Sequence, residues 1–359
     1  MARERIISQE SRGPEEEQLI QSLRPSRLAE IVGQRQVVEQ LRISIDAARR
    51  RGEPLEHVLL DGPPGLGKTT LAYVIANEMG ASIKVTSGPA LTKPGDLMPW
   101  LTNMQRGDIL FIDEIHRLPH TLEEFLYPAM EDFRVDFAIE GGMAGRTVNL
   151  PLKQFTLIGA TTRAGLLTAA MRDRFGIQQH LDFYGTAELK QILERSAAKL
   201  GVPAEPEALE TLARRSRGTP RVANRLLRRT RDYAQVRGGG RLSADIVEKA
   251  LEILQVDTLG LDELDRAFLR ALVTTYGGGP AGIEAIAATL GQERDTLEDV
   301  VEPYLLQIGF VIRTRQGRIA TRAAWEHLGL RPPESPGRSD STEEPQLFDG
   351  PADAPEQSG

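Results

Sequence analysis

One short stretch constrains this chain more than any other: Gly62-Pro63-Pro64-Gly65-Leu66-Gly67-Lys68-Thr69-Thr70 fits the pattern G-x-x-x-x-G-K-[ST]. Glycines at those positions let backbone N–H groups close around a polyphosphate. The lysine ammonium neutralises the outer phosphates, and the Thr69 hydroxyl is placed to hold Mg²⁺. The apolar run His57-Val58-Leu59-Leu60 reads as a short buried strand ahead of the loop, and Leu71 to Met79 reads as a helix behind it. Phosphates would then sit at a helix N-terminus, where unpaired N–H groups and the helix dipole favour anions. A plain Gly/Pro turn between two elements is the competing reading.

At 359 residues the chain is too long for one ordinary core, and two or three domains are expected. The opening Met1-Ala2-Arg3-Glu4-Arg5 is too polar for a secretory leader, and no apolar run reaches the ~18 residues of a bilayer span. A soluble, cytoplasmic protein is expected. The absence of cysteine excludes disulfides, Cys-ligated zinc and thiol catalysis. The net charge of −7 argues at first against nucleic acid. Its distribution matters more: residues 331–359 hold two arginines against seven acids, with six prolines and few apolar residues. Such a composition does not offset its own ordering entropy, so this acidic tail is expected to be disordered. Conversely, Arg214 to Arg231 contains eight arginines and no acid, and Val311 to Arg322 contains four and no acid. These read as two basic surfaces on an acidic protein.

Up to Tyr184, short apolar runs alternate with helical periodicity. Val58–Leu60, Ile83–Val85, Ile109–Ile112 and Phe155–Ile158 are the strand candidates, which is an α/β signature with a mainly parallel sheet. From Thr186 to about Val256 apolar residues fall at helical spacing throughout, giving a small all-helical domain. After Leu261 come helices and a short hairpin.

Chemistry concentrates at strand ends. Ile109-Leu110-Phe111-Ile112-Asp113-Glu114 would deliver two carboxylates beside the phosphate loop, Asp113 toward Mg²⁺ and Glu114 toward the attacking water. Phe155 to Thr162 ends in hydroxyls, and either Thr161 or Thr162 is positioned to report the γ-phosphate. Met171-Arg172-Asp173-Arg174 offers arginines that, in a ring, would reach a neighbour's nucleotide. Gly218-Thr219-Pro220-Arg221 opens a helix with Pro220 suited to its first position, and Arg221 would contact the γ-phosphate from the helical domain.

Taken in order, the loop, the Asp-Glu strand, the threonine strand, the arginine segment and the Gly-Thr-Pro-Arg helix resemble an AAA+ ATPase, and more narrowly the RuvB family of Holliday-junction branch-migration motors. Arg24-Pro25, Gly33-Gln34, Gly278-Gly279-Pro280 and Glu302-Pro303-Tyr304-Leu305-Leu306 extend the likeness over roughly residues 5–330. It implies an AAA+ ATPase domain over 1–184, a helical lid over 185–256, a winged helix over 257–330 and the tail beyond. It also implies ATP/ADP and Mg²⁺ as ligands, a homohexamer on double-stranded DNA and four-way junctions, and RuvA and RuvC as partners. By the same resemblance Gly65, Lys68, Thr69 and Thr70 contact phosphate and metal, with Leu23, Arg24 and Tyr184 flanking the nucleotide. Arg174 is the trans-acting finger, Arg221 the lid sensor, and Glu131, Asp132 and Phe133 belong to the subunit interface. RuvA would dock on a protruding hairpin over 133–150, whose tip here is less apolar than the family leads one to expect.

The third domain also reads from its own residues. Gly282–Leu290, a short turn and Thr296–Ile308 make a helix–turn–helix, followed by a wing around Gln316-Gly317. With that two-residue turn, Arg315 would oppose Arg318 and Arg313 would oppose Ala320, so that Arg313, Arg315 and Arg318 share one exposed face over isoleucines, suited to phosphate contact. An ATP-switched DNA-binding or loading protein is the competing functional class.

Overall fold

The computed structural model describes residues 21–139 and 146–332; the acidic tail beyond Pro332 and the hairpin tip lie outside them. The first domain carries α1 (Arg35–Arg51), β1 (Val58–Asp61), α2 (Lys68–Met79), β2 (Ile83–Ser87), α3 (Pro94–Thr102), β3 (Ile109–Asp113) and α4 (His120–Glu131). An antiparallel hairpin of β4 (Arg134–Ile139) and β5 (Arg146–Pro151) follows, then β6 (Thr156–Thr161), α5 (Ala169–Asp173) and β7 (Ile177–His180).

Five strands form an all-parallel sheet in the order β2-β3-β6-β1-β7. Alternate residues of each strand point to opposite faces, and both faces are covered. Val58, Leu60, Phe111, Ile158 and Ala160 pack with α1 and α2 on one side. Leu59, Leu110, Ile112 and Leu157 pack with α3, α4 and Phe175 on the other. Because the strands run parallel, Asp61, Asp113 and Thr161 all emerge at the same carboxyl edge, where crevices beside adjacent strands bind ligands in open α/β sheets.

The helical domain contains α6 (Thr186–Lys199), α7 (Pro206–Arg214), α8 (Pro220–Arg237) and α9 (Ala244–Ile253) around one core built on Leu193, Leu212, Leu227 and Leu251. In α8, Pro220 occupies the first turn and the Thr219 hydroxyl accepts from the Val222 N–H, so the start of this long helix is fixed.

The last domain packs α10 (Glu263–Arg270), a π-helical turn, α11 (Ile283–Leu290) and α12 (Arg294–Thr296). A second π-helical turn (Leu297–Val301) leads into α13 (Glu302–Gln307). The wing is β8 (Val311–Thr314) with β9 (Gly317–Ala320), and α14 (Arg322–His327) closes the domain. Two helices joined at Gly291 and followed by a β-ribbon make a winged helix.

The wing register differs from the one expected. Arg313 opposes Arg318 and Thr314 opposes Gly317, so Arg315 and Gln316 form the turn. Gly317 is held elsewhere: its φ is +141°, and an added Cβ would stand 2.4 Å from the Ala281 carbonyl oxygen. That close approach, continued by the Ala281–Arg318 bridge, draws the glycine into the strand and out of the turn.

Candidate nucleotide site

Between the phosphate loop, the N-terminal segment and the lid lies a cavity of about 690 Å³, within the range that takes a nucleoside triphosphate. Gly65, at φ +82° with an added Cβ only 3.2 Å from the Arg221 Cβ, is where the loop's backbone must come close to the lid. Gly67 caps α2 in the left-handed region, so the helix's first N–H groups face the cradle.

Lys68 donates to the carbonyls of Gly62 (2.7 Å) and Pro63 (2.9 Å), which closes the loop around its own cation. Burial pushes its ammonium down to about 8, against the pull of Asp113. Thr69 Oγ1 donates to Asp113 Oδ2 at 3.2 Å, while Asp113 Oδ1 accepts the Glu114 N–H at 2.9 Å. A hydroxyl beside a carboxylate is an all-oxygen donor pair suited to a hard divalent cation. Glu114 adopts a left-handed backbone (φ 49°), unusual for a residue with a side chain, and is held there by close packing. An added Cβ on Gly88 would stand 2.4 Å from the Glu114 carbonyl oxygen.

Leu23, Arg24, Thr70 and Tyr184 also line the cavity, with Arg24 lying over the Tyr73 ring. The Tyr184 hydroxyl donates to the Leu66 carbonyl, and burial pushes its phenol up to about 12. The Arg221 N–H donates to the Gly65 carbonyl at 3.3 Å, joining α8 directly to the phosphate loop. Its guanidinium lines the cavity among protein groups, and desolvation there pushes it below the ordinary arginine range.

Three family models match successive parts of the chain: the Holliday junction DNA helicase RuvB P-loop domain over residues 23–181, the RuvB AAA lid domain over 184–257 and the RuvB C-terminal winged helix domain over 258–329. Among solved structures, the Thermotoga maritima RuvB Holliday junction branch migration motor is similar at a TM-score of 0.80 and 51% identity, covering 86% of this chain and 99% of that one. A mutant of Thermotoga maritima RuvB is similar at 0.79, again at 51% identity, covering 86% and 98%. The chain belongs to the RuvB family.

As a RuvB-family chain it is an AAA+ P-loop ATPase, and the phosphate loop lines this cavity. Of the two threonines left open by the sequence, Thr162 lines this cavity. Thr161 does not. It is 1% exposed, its hydroxyl meets His116 Nδ1 at 3.0 Å and accepts the Arg163 N–H at 2.9 Å, so it is engaged away from the cavity.

Arg174, Glu131, Asp132 and Phe133 stand apart from this chain's own cavity. Arg174 lies over the Tyr127 ring, donates to the Ala170 carbonyl and pairs with Glu131 at 3.2 Å.

In the RuvB winged helix the three arginines do not make one exposed face: Arg313 and Arg318 are cross-strand partners that both reach Glu298, but only Arg313 is exposed. Arg318 is 7% exposed, with Nε and Nη2 bonded to the Glu302 carboxylate at 2.6 and 3.0 Å. Arg313 keeps an exposed side chain beside Glu298, Arg315 sits in the turn, and Ile312, expected beneath them, is itself exposed.

The lid's arginine run is not a basic surface either. Arg215 pairs with Glu248, Arg217 is buried against Asp265 and lies over Tyr304, and Arg221, Arg225 and Arg228 line the nucleotide cavity. The spacing of Arg221, Asn224, Arg225 and Arg228 marks a single helix face, a signal present in the sequence that composition alone concealed.

Proposed function

We propose that this chain is the ATP-driven motor of Holliday-junction branch migration in recombination and repair, acting as a homohexamer on duplex DNA with RuvA and, in the resolving complex, RuvC. The observation that carries the reading is the union, in one chain, of a hydrolytic strand edge at Asp113-Glu114 with a winged helix whose Arg313 and Arg315 are exposed. In this reading ATP is held by Gly65, Lys68 and Thr70, and Mg²⁺ by Thr69 and Asp113. The metal, when bound, would neutralise charge on the phosphates. Glu114 accepts the proton of the attacking water, and Asp113, by accepting the Glu114 N–H, fixes the backbone that aims it. Thr162 orients groups at the γ-phosphate. Arg174 serves a neighbouring subunit, with Glu131, Asp132 and Phe133 at that interface; its pairing with Glu131 outside its own cavity supports this. Arg313 and Arg315 contact DNA phosphates, while Arg318 ties the wing to Glu302. The hairpin over 133–150, which holds β4 and all of β5 but its last residue, is the RuvA-docking element.

The test is ATP-dependent migration of a synthetic four-way junction, with and without RuvA. Migration that needs ATP hydrolysis supports the motor. Junction binding governed by ATP, with no migration and no need for turnover, would favour the ATP-switched loader instead.

A further inference from the structure

One acidic segment of the winged helix meets the ATPase domain. Asp299 Oδ1 accepts from Arg163 Nε at 2.8 Å and Nη2 at 2.5 Å, and Glu298 lies 3.4 Å from the same guanidinium. Asp295 and Asp299 stand 3.4 and 3.9 Å from Arg117. Both arginines belong to the hydrolytic edge. Arg117 closes the turn that starts immediately after Glu114, with its Nε 3.4 Å from the Glu114 carboxylate. Arg163 directly follows Thr161-Thr162, and its N–H donates to the Thr161 hydroxyl.

Glu298 also faces the other way. Its carboxylate lies 2.8 Å from Arg313, 3.2 Å from Arg294 and 3.5 Å from Arg318, the guanidinium groups of the wing and of α12. With a side chain only 7% exposed it is little screened by salt. Burial alone would raise its carboxyl, and Arg163, Arg294 and Arg313 more than offset that, holding it below the ordinary carboxylate range.

We propose that Glu298 couples DNA engagement to ATP turnover, as a carboxylate shared between Arg163, which directly follows Thr162, and the arginines of the wing. The inference rests on the reading of the chain as a DNA motor. When Arg313 and Arg294 turn to DNA phosphates, Glu298 loses two of its four cations. Arg318 is already committed to Glu302, so the attraction falls on Arg163 and holds the Thr162–Arg163 segment more firmly. Linkage makes the effect reciprocal: a nucleotide state that shifts Arg163 changes what restrains the wing arginines, and DNA affinity changes by the same factor. Arg117 gives the same acidic segment a second grip, on Glu114 itself.

The test uses the full chain and two ratios: ATP turnover with and without a synthetic four-way junction, and junction affinity with a non-hydrolysable ATP analogue against ADP. Glu298→Gln keeps shape and removes charge. It should leave DNA-free turnover within about twofold, tighten junction binding because the wing arginines lose a competitor, and shrink both ratios by about fivefold or more, the lower end of ordinary allosteric coupling. Asp299→Asn cuts the other anchor of Arg163 and should shrink both ratios without tightening DNA. Glu326→Gln, in an exposed pair with Arg322 on the same domain, should move neither ratio. Wild-type ratios in both Glu298→Gln and Asp299→Asn, with circular dichroism showing folded protein, overturn the coupling and leave the motor intact. A wild-type chain that neither binds the junction nor responds to it overturns the motor reading and the coupling together.

Discussion

Replacing Arg318 by alanine should damage the fold of the winged helix before it damages any contact with DNA. Glu302 is 1% exposed, and Arg318 supplies two hydrogen bonds and the neutralising charge, with its own guanidinium held above the ordinary range by the Glu302 carboxylate. Removing one partner of a buried pair leaves an uncompensated charge and costs about 3–5 kcal/mol. For a domain of this size each kcal/mol lowers the midpoint by roughly 4–8 °C, so a fall of about 12 °C or more is expected in the winged-helix transition. The chain has two tryptophans, Trp100 in the ATPase domain and Trp325 in α14. Fluorescence in a Trp100→Phe background therefore reports the winged helix alone. The double variant Arg318→Met with Glu302→Gln removes both charges and should recover most of the loss, as a mutant cycle would register. Arg313→Ala, at an exposed site, should shift the midpoint by little and weaken DNA binding instead. A midpoint for Arg318→Ala within about 2 °C of wild type, with DNA affinity nonetheless lost, would show that this arginine serves DNA directly and refute the reasoning.

Three further outcomes follow from the nucleotide site. Glu114→Gln should retain nucleotide binding while turnover falls by about 10²-fold or more, read by equilibrium binding beside phosphate release. Burial holds the Lys68 ammonium near 8 by the protein's own groups, and bound phosphates favour its charged form. Binding above that pH must then take up a proton, the apparent Kd should rise by up to about tenfold per pH unit, and a flat affinity profile between pH 7 and 10 would exclude this linkage. Gly88→Ala forces a methyl against the Glu114 carbonyl and should lower kcat by about 10²-fold with KM little changed; unchanged steady-state kinetics would count against Glu114 as the aimed base.

The phosphate loop was legible because its chemistry is local: the glycines, the lysine and the hydroxyl must follow one another within a few residues. The parallel sheet was legible because a strand buried on both faces is apolar throughout, as at Ile109–Ile112. What failed depended on distant chain. Gly317 reads as a turn residue until the Ala281 backbone is seen pressing on it, and moving the turn back by one residue shifted the cross-strand pairing by two, so that every wing side chain met a new neighbour. Thr161 ends β6 with its hydroxyl buried, while Thr162 follows the strand and lines the cavity, a difference that adjacent hydroxyls in a sequence do not reveal. The lid arginines were legible as charge, but their carboxylate partners Glu248 and Asp265 lie 33 and 48 positions along the chain.

The attachment of α8 to the phosphate loop has a mechanical consequence. Its first turn is fixed to Gly65 through the Arg221 N–H, while its far end reaches Val236, one of the most exposed apolar side chains among the described residues. Eighteen residues at 1.5 Å each make a rod of about 27 Å. Because α8 is packed into the lid core as far as Ala234, a turn of the lid by about 10° about the anchored end would sweep the distal tip through about 5 Å. Such a turn would make α8 a lever from the phosphate loop to its distal tip, and whatever abuts that tip would receive a displacement comparable to a helical turn.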